Sequence, residues 1–131
     1  MSNQPIILVG GEPNSVFLEI FFKSIKAHYY KSPIILIVSK ELLEQQMKKL
    51  GFTFEINDID KKLKDFSKLN NNKINVINVD YDFKECFEKI TSKSNKYINE
   101  TFETAINIIK KNNFSKFING PISKKYFLKG K

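Results

Sequence analysis

Two short runs of apolar residues, 6–9 and 34–38, limit what this chain can fold into more than any other feature. Neither run alternates with polar residues, which is typical of strands that are covered on both faces in a parallel sheet. Further strands are predicted at 52–56, 74–79 and 117–118, and segments with helical periodicity separate most of them. This alternation predicts βαβ units, so we expect an α/β fold with a mostly parallel sheet and helices on both faces.

Three helices are predicted from the spacing of apolar residues and from capping residues. The first spans about 16–28 and has apolar residues around most of its circumference. The second follows Ser39, a suitable N-cap, and stops at Gly51, a suitable C-terminal residue. The third runs from about 93 to 111, where apolar residues form a clear amphipathic stripe.

The segment 58–72 is polar and rich in Lys, and it is the least regular part of the sequence. We predict an exposed excursion here, with one short helix through Leu63 and Phe66. The adjoining run NNNKIN, at 70–75, consists of residue types that share A- and T-rich codons. We therefore attribute its composition to the genome rather than to a function.

Composition restricts the location and the partners of the protein. With 131 residues and an apolar share of 41%, the chain suits one domain with a real core. We find no apolar run long enough to cross a bilayer and no signal peptide, and the single cysteine, Cys86, fits a reducing compartment. We therefore expect a cytoplasmic protein.

The net charge is +8, but the sequence contains Lys and no Arg, so nucleic acid is not an expected partner.

Two loops are predicted at the carboxyl ends of strands, where parallel sheets bind ligands. The first loop, 10–15, carries Glu12, whose carboxylate would face a ligand, although a simple turn into the helix explains its glycines and proline equally well. In the second loop, 119–124, Ser123 and Lys124 stand at the start of a helix. Backbone N–H groups, a hydroxyl and an ammonium suit a phosphate or a carboxylate, and a plain turn with an N-cap remains the alternative.

The other candidate residues carry weaker signals. Neither of the two glycine-rich nucleotide-binding patterns occurs. His28 is the sole histidine and ends an apolar helix, while Cys86 has no histidine nearby in the sequence. Asp80 and Asp82 follow a strand, where a solvated turn is favoured over a ligand site. No group of His, Cys, Asp and Glu has metal-ligand spacing, so no metal site is predicted in this chain.

The two loops together resemble the 4-hydroxythreonine-4-phosphate dehydrogenase family. The tripeptide GEP at 11–13 matches the family's Gly-Asp/Glu-Pro turn after its first strand, and NGPISK at 119–124 matches its Thr/Asn-x-Pro-x-x-Lys segment. The pair Leu-Gly at 50–51 also stands where the family often has it. The chain departs from the family at 14–18, where Ala-Gly-Ile-Gly-Pro is replaced, and it has none of the family's three metal-binding histidines.

The resemblance implies a homodimeric enzyme with the two-domain architecture of the isocitrate and isopropylmalate dehydrogenases. Its activity would be the metal-assisted oxidation of 4-phosphooxy-threonine with NAD, or NADP, in pyridoxal phosphate biosynthesis. Glu12 and Asn14 would line the cleft, and Ser123 and Lys124 would stand near this small phosphorylated substrate. Residues 1–131 would form a single incomplete α/β domain, the N-terminal portion of the enzyme, inactive by itself and without a tightly bound cofactor or metal.

Two other hypotheses fit the same residues. A small Rossmann-like module would bind an anionic metabolite without catalysing a reaction. A weak nucleic-acid binder would depend on the net charge alone, and its retention on DNA would fall as the salt concentration rises.

Overall fold

The computed structural model describes residues 4–62, 68–89 and 91–122. Strands and helices alternate through most of this length, as predicted, and a single turn of 3-10 helix, Ser92–Ser94, precedes the last helix. The predicted helix through Leu63 and Phe66 lies outside the described residues, as do Ser123 and Lys124. The elements are β1 (Ile6–Val9), α1 (Phe17–Ala27), β2 (Ile34–Val38), α2 (Lys40–Leu50), β3 (Ile56–Asp58), β4 (Ile74–Asn78), α3 (Asn95–Asn112) and β5 (Phe117–Asn119).

The five strands form one parallel sheet in the order β3-β4-β2-β1-β5. The predicted α/β class with a parallel sheet is therefore confirmed. Because β1 and β5 are neighbours and run in the same direction, their carboxyl ends lie side by side at the same end of the sheet. The same geometry brings together the carboxyl ends of β2 and β4.

Helices cover both faces of the sheet, and successive strand residues divide between the two cores. Ile7 and Val9 pack on the face that α3 covers, together with Ala105 and Ile108 of that helix. Leu8 packs on the opposite face with apolar residues of α1 and α2. The uninterrupted apolar composition of β1 follows from this coverage, because side chains that point either way are buried.

The prediction of a strand at 52–56 is wrong, because the third strand is β3, at Ile56–Asp58. The alternating pattern at this position has a different cause. Phe52 and Phe54 stack on each other with ring centroids 6.0 Å apart, and both lie close to Phe22 of α1. The aromatic side chains therefore alternate to cover a helix, and pairing with β4 begins only at Ile56. The expected position of the third strand at a sheet edge is confirmed.

The predicted boundaries of the helices hold to within about two residues. The Ser39 hydroxyl accepts a hydrogen bond from the Leu42 backbone N–H at 3.2 Å, and Gly51 ends α2 in the left-handed conformation. At the start of α1, the Ser15 hydroxyl accepts from the N–H of Phe17 at 3.3 Å. These contacts satisfy backbone groups that helix ends leave unpaired.

Candidate functional site

The two predicted loops meet at the carboxyl end of the sheet and are joined by backbone hydrogen bonds. The N–H of Glu12 donates to the Pro121 carbonyl oxygen at 2.7 Å, and the N–H of Gly120 donates to the Val9 carbonyl oxygen at 2.7 Å. The pairing of β1 with β5 therefore continues beyond the ends of both strands. As a result, the position of residue 121 is fixed by the turn that contains Glu12.

Glycine is required at this junction because the two backbones nearly touch. A Cβ atom on Gly11 would lie 2.6 Å from the carbonyl carbon of Gly120, and the φ of Gly11 is +71°. A Cβ atom on Gly120 would lie 2.3 Å from the carbonyl oxygen of Gly10. The glycines of the first loop thus permit the approach of the second loop, which is a packing role in addition to making the turn.

Glu12 carries a buried carboxylate whose partners come from the chain itself. Its side chain is only 4% exposed. The Ser94 hydroxyl donates to both carboxylate oxygens, at 3.0 and 3.3 Å, and the N–H of Asn14 donates at 3.3 Å. Burial raises the pKa of Glu12, and the hydrogen bonds from Ser94 and Asn14 oppose the rise. The carboxylate therefore ties the first loop to the 3-10 helix that precedes α3.

Replacing Glu12 by Gln should change how stability depends on pH. Because burial raises the folded-state pKa of Glu12 above its ordinary value of 4.5, the folded chain holds this proton more tightly than the unfolded chain. The stability that the protonated group contributes is complete below pH 4.5 and is lost as the pH rises through the folded-state pKa. Glutamine does not ionise, so the free energy of unfolding of Glu12→Gln relative to wild type should rise with pH.

Urea unfolding of both proteins from acid to neutral pH measures this difference. Glu103→Gln, on the exposed face of α3, is the matched control, and its difference from wild type should show no comparable rise. A difference for Glu12→Gln that stays constant across the whole range would contradict a raised pKa at Glu12.

Asn14 connects the first loop to the segment between β4 and α3. Its side-chain oxygen accepts a hydrogen bond from the N–H of Glu88 at 3.0 Å, and its side chain also hydrogen-bonds Tyr81. Burial raises the pKa of the Tyr81 hydroxyl, with further contributions from the nearby charges of Glu12 and Glu88. Asn14 thus binds neighbours within the chain, and its role in lining a cleft stays a prediction.

Two further side chains hold the segments that follow β1 and β2 in place. The hydroxyl oxygen of Tyr97, on α3, accepts a hydrogen bond from the Ser39 N–H at 2.8 Å, and burial raises the pKa of this tyrosine. Gln46 of α2 is fully buried and donates from its side-chain nitrogen to the Pro13 carbonyl oxygen at 3.1 Å. Both side chains fix the ends of β1 and β2 from opposite faces of the sheet. Sequence analysis missed them, because each contact joins residues far apart in the chain.

An open cavity of about 440 Å³ lies at the carboxyl ends of β2 and β4. After β2 the chain continues into α2 on one face of the sheet, and after β4 it continues toward α3 on the opposite face. In α/β sheets, ligands bind where the connections from neighbouring strands go to opposite faces. Asp80 and Asp82 line this cavity and an adjacent one of about 490 Å³, which extends to Lys93 and Lys96. Both aspartates are exposed, so the structure permits the solvated turn that was favoured as well as the ligand site.

The described residues do not fit a metal centre. In 4–62, 68–89 and 91–122, no three His, Cys, Asp or Glu side chains come together in a way that would hold a metal ion. At the first loop, the space beside Gly11 is occupied by the backbone of Gly120 and Pro121 from the second loop. Among the described residues, no helix is long and apolar enough to span a membrane.

Solved structures with a similar fold include those of 4-hydroxythreonine-4-phosphate dehydrogenases. The enzyme from Burkholderia phymatum is 17% identical and superposes with a TM-score of 0.75 over 95% of this chain and 38% of its own. The enzyme from Klebsiella pneumoniae is 15% identical, with a TM-score of 0.74 and the same two coverages. At these identities the likeness shows the fold, and this chain spans well under half the length of either enzyme. No curated protein matches the sequence.

A family model gives the more direct assignment. The model described as pyridoxal phosphate biosynthetic protein PdxA matches residues 30–131, which include the whole of the second loop. The first loop lies outside that match, but it is bonded to the second loop through Glu12 and Pro121. Since the match covers well over half of the sequence, this chain belongs to the PdxA family of pyridoxal phosphate biosynthetic proteins.

Proposed function

We propose that this chain forms one wall of the substrate cleft in an NAD-dependent, metal-assisted dehydrogenase that oxidises 4-phosphooxy-threonine for pyridoxal phosphate synthesis. The observation that carries the proposal is the bonded junction of the two loops around the buried Glu12. Family membership supports the assignment to pyridoxal phosphate biosynthesis. The complete enzyme would be a cytoplasmic homodimer acting on a small phosphorylated substrate rather than on nucleic acid.

In this proposal Glu12 is a positioning residue. Its carboxylate is buried and already accepts hydrogen bonds from Ser94 and Asn14, so it is poorly placed to take a proton from a substrate. Its backbone N–H holds the Pro121 carbonyl, three residues before Lys124. The first loop would therefore orient the segment that carries Ser123 and Lys124 toward an anionic substrate group.

In the complete enzyme, NAD would supply the hydride acceptor and a divalent metal would supply Lewis-acid chemistry. The described residues supply ligands for neither step. What this chain contributes is substrate binding: Ser123 would donate a hydrogen bond to the substrate, and the Lys124 ammonium would pair with its phosphate or carboxylate. The cavity beside Asp80 and Asp82 lies at the same end of the sheet as the two loops, and its carboxylates would accept hydrogen bonds from substrate hydroxyl groups.

Replacing Lys124 by Ala tests this role in the complete gene product that contains residues 1–131. Formation of NADH with 4-phosphooxy-threonine should persist, with KM raised about tenfold to a hundredfold, because a charge-assisted contact to the substrate is lost. The neighbouring Lys125→Ala is the matched control and should change KM by less than about threefold. No NADH formation by the wild-type protein would refute the proposed activity, and equal effects of the two variants would refute the role of Lys124.

A binding module without catalysis is the second candidate function. It is favoured because the described residues alone cover both faces of the sheet. The same residues also form the cavity at the ends of β2 and β4. Thermal unfolding of the 131-residue chain with and without 4-phosphooxy-threonine separates the two candidates. A saturable rise in the melting temperature without NADH formation by any form of the protein would favour the module.

A further inference from the structure

A second concave site lies at the amino ends of β2 and β4, at the opposite end of the sheet from Glu12. Its volume is about 360 Å³, which is within the range of small-molecule sites. The last turn of α1, the segment that follows it and the turn before β4 form its walls. We propose that this cavity binds a small aromatic carboxylate, a role that does not depend on the proposed dehydrogenase activity.

The floor of the cavity is apolar and its rim is aromatic. Phe21 and Ile74, which are 7% and 3% exposed, contribute to the floor together with Phe54. Tyr29 and Tyr30 also line the cavity, and Tyr29 is 79% exposed, which is unusual for a large aromatic residue. A flat ring laid on this floor would cover apolar surface and meet the tyrosine rings at their edges or faces.

The charged groups that line the cavity are basic. Lys26 and Lys73 belong to the lining, and no Asp or Glu does so among the residues that the structure describes. An anion is therefore favoured over a cation of the same shape. The carbonyl end of α1 lies at the wall that carries Lys26, and helix carbonyl ends disfavour anions. The carboxylate is accordingly assigned to Lys73, on the turn before β4.

Two asparagine side chains, the half-buried Asn71 and the buried Asn75, hold the walls of the cavity in place. The Asn71 amide nitrogen donates to the carbonyl oxygens of Tyr30 and Ser32, at 2.8 and 2.7 Å. The Asn71 side-chain oxygen accepts from the N–H of Ile34 at 3.1 Å, and Asn75 donates to the Ile34 carbonyl oxygen at 2.9 Å. These contacts fix the segment after α1 against the turn before β4, so the cavity is formed before any ligand arrives. A preformed site loses less conformational entropy on binding.

Lys73 has one competing partner, which gives the proposal a specific consequence. Its ammonium lies 3.4 Å from the carboxylate of Glu55, and both side chains are largely exposed. Such exposed pairs are weak, so a bound carboxylate would displace Glu55 from Lys73. Removing the charge of Glu55 should therefore strengthen binding, whereas removing the charge of Lys73 should weaken it. A purely structural role for this ion pair would make both changes act in the same direction.

Titration of the 131-residue chain with indole-3-acetate, followed by amide NMR, tests the proposal. The amide signals of Tyr29, Tyr30, Asn72 and Lys73 should shift in a saturable way. Indole-3-ethanol, which has the same ring without the charge, should bind about twofold to fivefold more weakly. Lys73→Gln should reduce the affinity for indole-3-acetate to that for indole-3-ethanol, and Glu55→Gln should increase it. Lys110→Gln, exposed on α3, is the control and should change neither affinity.

Three results would overturn the proposal. An absence of saturable shifts at the cavity would mean that it binds no aromatic ligand of this class. Equal affinities for the two indole compounds would mean that the cavity does not recognise a carboxylate. An equal loss of affinity in Lys73→Gln and Lys110→Gln would mean that net charge attracts the probe without a specific site.

Discussion

Replacing Gly11 by Ala should lower the free energy of unfolding by about 3 kcal/mol. Two costs add at this position. The φ of +71° is one that alanine adopts only with strain, and the new Cβ atom would lie 2.6 Å from the carbonyl carbon of Gly120 and the carbonyl oxygen of Pro121. Both neighbours are backbone atoms, so they yield only if the two loops separate. The urea midpoint should fall accordingly.

Gly51→Ala separates these two costs. Gly51 has a similar φ, +79°, but a Cβ atom there would meet nothing within 4 Å. The cost should therefore be that of the backbone conformation alone, about 1 kcal/mol. Similar midpoints for the two variants would show that the loops separate easily. In the proposed enzyme, Gly11→Ala should also raise KM more than Gly51→Ala does, since it displaces the segment that leads to Lys124.

Asn75→Ala should be about as destabilising, with a loss of about 2–4 kcal/mol. Asn75 is 1% exposed, and its side chain makes three hydrogen bonds. Its amide nitrogen donates to the Ile34 carbonyl oxygen at 2.9 Å, and its oxygen accepts from the side chain of Asn57 and the N–H of Asn70. Alanine removes all three hydrogen bonds of this buried side chain, and such bonds contribute about 0.5–1.5 kcal/mol each to stability.

Asn78→Ala on the same strand is the matched control. Asn78 is exposed, and its side-chain oxygen accepts from the N–H of Lys40 at 2.8 Å, a partner that is itself exposed enough for water to replace the bond. We expect a loss of no more than about 1 kcal/mol for this variant. Equal urea midpoints for the two variants would mean that the buried amide of Asn75 contributes little to stability.

The alternation of strands and helices was predictable because it depends on local patterns. The apolar runs at β1 and β2, the cap at Ser39 and the stop at Gly51 each carry their signal within a few residues. The strand expected at 52–56 failed for the opposite reason, because period-two alternation arises whenever side chains cover one neighbouring surface. At this position that surface is helix α1, which contacts Phe52 and Phe54 through Phe22, about 30 residues earlier in the chain.

The candidate site was predictable only in part. Gly11 to Pro13 and Asn119 to Pro121 carry turn signals after strands, and their meeting at one edge follows from the parallel pairing of β1 with β5. Nothing in the sequence around Ser94 indicates that its hydroxyl binds Glu12, because that contact depends on the path of α3. The Asn-rich run at 70–75 was attributed to codon composition. Composition explains the abundance of asparagine, but Asn71 and Asn75 have specific hydrogen-bonding roles.

The place of β5 in the sheet has a consequence for the order of folding during synthesis. Among the strands that the structure describes, β5 is made last, and it pairs with β1 through Ile7 and Phe117. Until the ribosome releases residues 117–121, β1 is an apolar edge strand with unpaired backbone groups, and such edges attract other chains. The turn at Glu12 acquires its bond to Pro121 in the same step. The pairing of β1 with β5 and the junction of the two loops therefore form together, and a pause before β5 would prolong an aggregation-prone stage of folding.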